Sequence, residues 1–392
     1  MPAVRYGGPI YSVHGLCRAL AHRGHEVHVF TTNVDGPGVS DVPIDRTVDL
    51  DEVSVRYFPT AFGRRLYRSP AMGRALARTC GSFDVVHLHS VFLWPTMAAA
   101  TVARRSGTPY VVTPRGMLVS DLIARKSRWA KRAWIGLVER RSIEQAAAVH
   151  VTSRLEAEEM QAMGFAPRRT VVIPNALDMA GVPATPSADD EAWIGTLPQR
   201  FALYLGRINW KKGLDRLIAA LARTKNIDLV VAGHDDEKYE GTLQSLAREL
   251  GVANKIIFTG PVFGSRKWAL LRRARMLVLA SHSENFGMVV LEAMAVGCPV
   301  VVTAGVGLAE TVRACGAGLV VEGDAAPLAA AITSLEGNEA ARRQMGSAGR
   351  KAAAEQFSWT RVADEMAELY ASCLNPAKYP SKRVMENWRS AS

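Results

Sequence analysis

The 392-residue chain is poor in cysteine. It has five, Cys17, Cys80, Cys298, Cys315 and Cys373, and no Cys-x-x-Cys pair. An odd, scattered set excludes a disulfide framework and a structural zinc site, and predicts a reducing compartment. Long apolar runs are lacking too. The nearest, Val85 to Ala103, contains His87, His89, Ser90 and Pro95; Met288 to Ala309 is cut by Glu292, Gly297 and Pro299. Neither reads as the span of about 20 apolar residues that crosses a membrane. Met1 to Gly8 holds no apolar stretch of the kind that opens a signal peptide. The P-loop pattern, Gly-x-Gly-x-x-Gly after a strand, His-Glu-x-x-His and Gly-x-Ser-x-Gly are all missing. Nicotinamide chemistry, zinc peptidases and serine hydrolases are thereby disfavoured. No zinc-finger or RNP pattern supports nucleic-acid binding, and Asp235-Asp236-Glu237 reads as a solvated turn. Acidic residues are the scarcer sign: 37 against 48 Lys and Arg, a formal charge of +11. Residues 1–180 hold 23 basic and 15 acidic residues; residues 181–392 hold 25 and 22. The first half should attract anions, although solubility charge explains the surplus equally well. With 48% apolar and 22% charged residues, the chain is neither disordered nor fibrous.

What is present is an alternation of short apolar strands and helices. Strands are expected at Val27–Thr31, Val85–His89, Tyr110–Thr113, Ala148–Thr152 and Val171–Ile173. They resume at Phe201–Leu205, Leu229–Ala232, Ile256–Thr259, Met276–Ala280, Val300–Thr303 and Leu319–Val321. Runs apolar on both faces suit strands covered by helices on both sides. Helices such as Ile10–Arg23, Lys212–Arg223 and Tyr239–Leu250 supply the crossovers of parallel α/β sheets. Pro, Gly and acidic residues between Asp178 and Gln199 have a linker composition. The expected division is an N-terminal Rossmann-like domain over 1–180, a linker over 181–199, a C-terminal domain over 200–357, and a helix with a basic tail over 358–392. That last segment either frays or packs back on the first domain. The front is irregular: Gly7-Gly8-Pro9 leads into a helix, yet only six residues precede it. Such a turn normally follows a strand. Either the first strand is absent or the reading frame starts too late; the second is favoured.

Four stretches can carry chemistry. In Ser281-His-Ser-Glu-Asn-Phe-Gly-Met-Val-Val-Leu-Glu292, Glu284 falls in a strand-to-helix loop and Glu292 on the second helical turn. The N–H groups of Phe286, Gly287 and Met288 are expected to be helix donors open to a phosphate. Carboxylates beside a bound diphosphate are unfavourable unless they accept hydroxyl protons from sugars. A loop acid and a helix-surface acid are the plain alternative. In Gly206-Arg-Ile-Asn-Trp-Lys-Lys-Gly213, Arg207 and Lys212 offer cations to a diphosphate, and the glycines permit close backbone approach. His87-Leu-His89 and Thr113-Pro-Arg-Gly116 end two first-domain strands and are expected to face the crevice between domains. His87 is expected to be a satisfied core histidine. His89 and Arg115 are better placed for substrate, and Arg115 could stabilise a leaving phosphate or bind an anionic acceptor. Finally, Arg125 to Arg141 carries seven basic residues and one acid, with Trp129, Ala133 and Leu137 on one helical stripe. It suits either an anionic membrane surface or a solvated domain helix.

These residues resemble a retaining GT-B glycosyltransferase of family 4, the glycosyl transferases group 1 type, over nearly the whole chain. Glu284-Asn-Phe-Gly-Met-Val-Val-Leu-Glu292 matches its Glu-x7-Glu motif. Gly206-Arg207 with Lys212-Gly213 matches the donor-phosphate turn, and Val172-Ile-Pro-Asn175, Gly7-Gly8-Pro9 and Gly24-His25-Glu26-Val27 match first-domain segments. The resemblance implies an α/β GT-B fold: two Rossmann-like doubly wound domains facing across a cleft that holds a nucleotide-sugar. It implies that Arg207 and Lys212 hold the donor diphosphate, Glu292 binds ribose hydroxyls and Glu284 contacts the transferred sugar. Asn285, Phe286, Gly287 and Met288 would line its pocket, with Gly7 and Gly8 near the donor phosphates. No metal or other cofactor is expected. Many members carry His where this chain has Arg115; Pro114-Arg-Gly-Met-Leu118 resembles a subgroup of bacterial surface-polysaccharide transferases. Ala176 stands where Gly is usual.

The expected activity moves a sugar from a UDP- or GDP-sugar to a glycan or lipid-linked glycan with retention, in envelope or exopolysaccharide synthesis. The expected place is the cytoplasm, at the inner face of the membrane, with no nucleic-acid partner. The alternatives are an inactive sugar-nucleotide-binding protein and a GT-B nucleotide-sugar epimerase.

Overall fold

A computed structural model describes residues 8–36, 38–61, 64–119, 134–235 and 237–375. Two compact units divide the chain: residues 1–176 with 359–392, and residues 177–358.

The first unit contains β1 (His28–Thr32), β2 (Val34–Asp35), β3 (Gly38–Val39), β4 (Thr47–Leu50), β5 (Val53–Phe58), β6 (Val86–His89), β7 (Tyr110–Thr113), β8 (Ala148–Val151) and β9 (Thr170–Val172). One sheet runs β1-β5-β4, with β4 antiparallel; another runs β6-β7-β8-β9, all parallel. β7 and β8 are wholly buried, whereas the end strands β1 and β6 are largely half-buried. The helix Gly8–Ala21 serves both sheets. Its Leu16 and Leu20 pack with Val111, Ala148 and Val171; its Cys17 packs with Val53, Val55 and Tyr57. A strand was expected ahead of this helix, but residues 1–7 lie outside the described residues. Among the described residues no ladder joins β1 to β6. The pair β4–β5 was not anticipated, although Val53, Val55 and Tyr57 alternate inward with period two.

In the second unit, β10 (Phe201–Leu205), β11 (Asp228–Ala232), β12 (Ile256–Gly260), β13 (Met276–Leu279), β14 (Val300–Thr303) and β15 (Gly318–Val321) form one parallel sheet. Its order is β12-β11-β10-β13-β14-β15. Chain direction across the sheet reverses between β10 and β13. The carboxyl ends of the strands at such a switch point are where open α/β sheets bind ligands.

Two expectations need correcting. The stretch 181–199 is not a bare linker. Ser187 and Asp190 form a capping box that starts the helix Ala188–Gly195, and Trp193, Ile194 and Leu197 pack on the second unit's core. Its surface polarity hid one apolar edge. In the basic stretch 125–141, residues up to 133 lie outside the described residues. Ile135–Glu139 is a π-helical turn with Ile135 and Glu139 buried, while Leu137, expected on the apolar stripe, is 79% exposed. The wider turn rotates the register away from a 3.6-residue stripe. The helix Trp359–Leu374 belongs to the first unit, where Val362, Ala363, Met366 and Leu369 join the core under Gly8–Ala21. The basic residues beyond 375 lie outside the described residues. Among the described residues no helix is long and apolar enough to cross a membrane.

Gly15 is what lets those two helices meet. A Cβ there would lie 2.1 Å from the Trp359 ring. Gly15→Val is expected to lower stability by about 1–3 kcal/mol through overpacking. In a denaturant-unfolding double-mutant cycle, Trp359→Ala should offset part of that loss. Strict additivity would show that the contact is not what limits the helix approach.

Candidate functional site

The loops leaving β10 and β13 meet. After β10, the Gly206 N–H donates to Ala232 O at 2.9 Å and the Tyr204 hydroxyl donates to Arg207 O at 2.6 Å. The chain then makes a 3-10 turn, Trp210–Lys212, and Gly213 takes φ +63° before the helix Leu214–Leu221. A Cβ on Gly213 would sit 2.1 Å from Ala280 O, at the end of β13. The helix expected from Lys212 thus starts two residues later, at Leu214. Across the junction, the His282 N–H donates to Lys211 O at 2.8 Å. The loop after β13 is itself pinned: Glu284 N–H donates to Gly305 O and Gly307 N–H to Glu284 O, both at 2.8 Å.

This packing brings Lys212 Nζ into direct contact with Glu284 Oε2. Lys212 lies far from Glu284 in sequence; only the parallel pairing of β10 and β13 joins them. Burial pushes the Lys212 ammonium down to about 7, with Arg207 and Lys211 acting the same way. Arg207 is exposed beside Lys212 and Glu284. Glu292 is held by Lys267 Nζ at 2.9 Å, a partner the sequence reading missed. The helix Met288–Val296 starts from Gly287 at φ +91°. Among the described residues, the N–H groups of Phe286, Gly287 and Met288 have no backbone acceptor. Each helix N-terminus carries roughly half a positive charge. Phe286 itself is buried against Phe357, with ring centroids 6.2 Å apart, so only its backbone faces the loop. Met288 is half-buried against the core, and Asn285 is half-buried. Asn209 Oδ1 and Ser281 Oγ are buried in these loops without a partner among the described residues.

The first unit holds a second constellation, at the carboxyl ends of β6 and β7. Arg115 takes φ +58° and Gly116 +69° in the turn after β7. Arg115 Nη1 donates to Asn175 Oδ1 at 2.8 Å and to Ser12 Oγ at 3.3 Å; Nη2 reaches His89 Nδ1 at 3.3 Å. Its Nε is buried and unpaired among the described residues. Burial pushes the guanidinium down to about 10, which leaves it charged at neutral pH. The same burial holds His87 and His89 well below the usual histidine range, and Arg115 adds to this. His87 is satisfied at both nitrogens, 2.7 Å from the Tyr370 hydroxyl and 2.7 Å from Thr113 Oγ1. His150, Glu156 and Tyr370 were missed. His150 Nδ1 pairs with Thr113 Oγ1 at 2.8 Å, and Glu156 accepts from the Gly116 N–H at 2.6 Å and the Thr152 N–H at 2.8 Å. The signal available was a histidine in the otherwise apolar Ala148-Val-His-Val151. Gly8 is the first residue of an exposed helix end, and Gly7 lies outside the described residues.

Gly213→Ala adds left-handed strain to a collision with Ala280 O. It should cost about 2–4 kcal/mol in denaturant unfolding. Gly241→Ala, in a helix with open space around it, should be neutral or stabilising. Equal effects at the two sites would show that the loop junction is not built on close approach.

Similarity to known proteins fits this geometry. Residues 191–352 match the family described as glycosyl transferases group 1, and residues 7–176 match the glycosyl transferase 4-like domain. Glycogen synthase of Mycobacterium tuberculosis is 30% identical, over 98% of this chain and 95% of its own. D-inositol 3-phosphate glycosyltransferase of Geodermatophilus obscurus is 29% identical, over 97% and 88%. Among solved structures, sucrose-phosphate synthase of Thermosynechococcus elongatus superposes with a TM-score of 0.74 at 25% identity, covering 93% of each chain. Anabaena HepE, solved with UDP and glucose, gives 0.71 at 20% identity over 92% and 95%. With both halves matched, a parallel sheet carrying Lys212 and Glu284 at its switch point, and GT-B neighbours over more than nine-tenths of the chain, the chain belongs to the glycosyl transferases group 1 family of GT-B glycosyltransferases.

Proposed function

We propose that this enzyme transfers a sugar from a UDP- or GDP-sugar to a glycan or lipid-linked glycan, with retention of configuration, in envelope or exopolysaccharide synthesis. One observation carries the donor assignment. Lys212 and Glu284 touch at the sheet's switch point, beside exposed Arg207 and open N–H groups at a helix start. The three positive elements suit a departing nucleoside diphosphate, whose charge grows as the sugar bond breaks. They supply that charge without a metal ion. Glu284 then turns from Lys212 to the hydroxyls of the transferred sugar, and Glu292 accepts from the ribose. Asn285, with the backbone of Phe286 to Met288, completes the donor pocket. In the first unit, Arg115 and His89 serve the acceptor. The UDP and UDP-glucose bound by HepE support a nucleotide-sugar donor. The acceptor class rests on the Pro114–Leu118 resemblance, and a cytoplasmic site on the unpaired cysteines.

Lys212→Ala should lower transfer by two orders of magnitude or more in protein that still unfolds cooperatively, with a lowered melting temperature because Glu284 loses its partner. Unchanged turnover in the purified variant would sink the donor assignment. NMR of the product reports whether the anomeric configuration is kept.

Because burial lowers Lys212, the free enzyme loses this charge above about pH 7. A bound diphosphate stabilises the protonated form, so binding takes up a proton above that pH. Diphosphate affinity should be highest below pH 7 and fall by up to tenfold per pH unit above it. Calorimetry in buffers of different ionisation heat measures the proton uptake; no uptake at pH 8 would contradict it.

A further inference from the structure

The opposite end of the β6-β7-β8-β9 sheet carries a second feature, away from the Arg115 constellation. A pocket of about 670 Å³ opens at the amino-terminal ends of β7, β8 and β9. Arg104 and Arg105 reach it from the last turn of the helix Trp94–Ser106, which leads into β7. Arg141 comes from the helix Arg140–Glu144, ahead of β8, and Arg168 from the loop ahead of β9. Arg115 and His89 stand at the other end of these strands.

All four arginines line the pocket, and among the described residues its lining contains no acidic side chain. Among the described residues none of the four has an ion-pair partner. The nearby acids are already engaged. Glu144 accepts from Arg140 Nη1 at 2.8 Å and from the Ala166 N–H at 3.3 Å; Glu139 is buried and accepts from the Phe92 N–H and from Trp134 Nε1. Arg104 Nη1 donates to the Tyr110 hydroxyl at 3.3 Å, which fixes one guanidinium on the pocket wall; the Tyr110 hydroxyl in turn donates to Ser142 O at 2.8 Å. The charges of Arg104, Arg168 and Arg141 all bear on that hydroxyl, so they are close in space.

Four like charges around one cavity repel each other, and an anion placed among them removes the repulsion. Guanidinium forks match phosphate oxygens two at a time. The volume exceeds a lone phosphate and falls in the range of organic ligands. Met97 and Val138 line the pocket, and Leu137 on its rim is 79% exposed. We propose that this pocket binds the phosphate of a ligand that also carries an apolar or neutral part, at a site separate from the Arg115 constellation. A phospholipid headgroup and a soluble phosphate ester share this chemistry.

The test uses the full chain carrying Arg207→Ala and Lys212→Ala, so that the proposed donor loops do not contribute. Inorganic pyrophosphate is titrated by calorimetry, and flotation is run with phosphatidylglycerol and with phosphatidylcholine vesicles. Binding of pyrophosphate or of phosphatidylglycerol vesicles is expected. It should weaken at least tenfold when Arg105→Gln, Arg141→Gln and Arg168→Gln are added, all exposed positions where folding is retained. Vesicle binding released by millimolar pyrophosphate assigns the lipid source; pyrophosphate binding without flotation assigns a soluble ester. No binding of either probe, or binding unchanged in the triple glutamine variant, would overturn the proposal. Loss of transfer in Lys212→Ala tests the donor assignment separately.

Discussion

The arrangement depends on one contact, the buried ammonium of Lys212 against the carboxylate of Glu284. Neither charge is stable alone in that position. Removing a charge from water costs several kcal/mol, and only a close partner offsets it. The contact exists because β10 and β13 are neighbours in the sheet although β11 and β12 intervene in sequence. Gly213 makes the approach feasible, since any side chain there would meet Ala280 O. The same strand order aims the start of the helix Met288–Val296 at the loop. Burial that lowers the Lys212 pKa also makes the lysine responsive to whatever anion replaces Glu284.

The first unit solves a related problem with different residues. Arg115 is a buried cation whose direct partners are neutral: Asn175, Ser12 and His89. Glu156 does not touch it but holds the Gly116 N–H, and so fixes the left-handed turn that presents the guanidinium. Neutral His87 and His150 fill the space behind it, tied through Thr113. A cation kept this way has unspent attraction for an anion.

Much of the plan was legible because periodicity is local. The strands Tyr110–Thr113, Phe201–Leu205 and Val300–Thr303 coincide with their expected limits, since short runs apolar on both faces have few other stable states. Glu284 and Glu292 could be singled out because eight residues of sequence place both around one helix start. The capping box at Ser187 and Asp190 was readable too, yet the surrounding Pro and Gly outweighed it. The strand Val53–Phe58 was passed over because Ser54 and Arg56 interrupt its apolar side with residues that face outward.

What the sequence by itself determined is the alternation of elements, the motif-bearing loops and the cationic turn, all set by contacts within a dozen or so residues. Tertiary structure decided which separated side chains meet: Lys212 with Glu284, Lys267 with Glu292, Arg115 with Asn175, and the four arginines around one pocket. Strand order and loop packing set those encounters. Sequence fixes a side chain's chemistry, but its partner is chosen only when the sheet brings separate crossovers to the same edge.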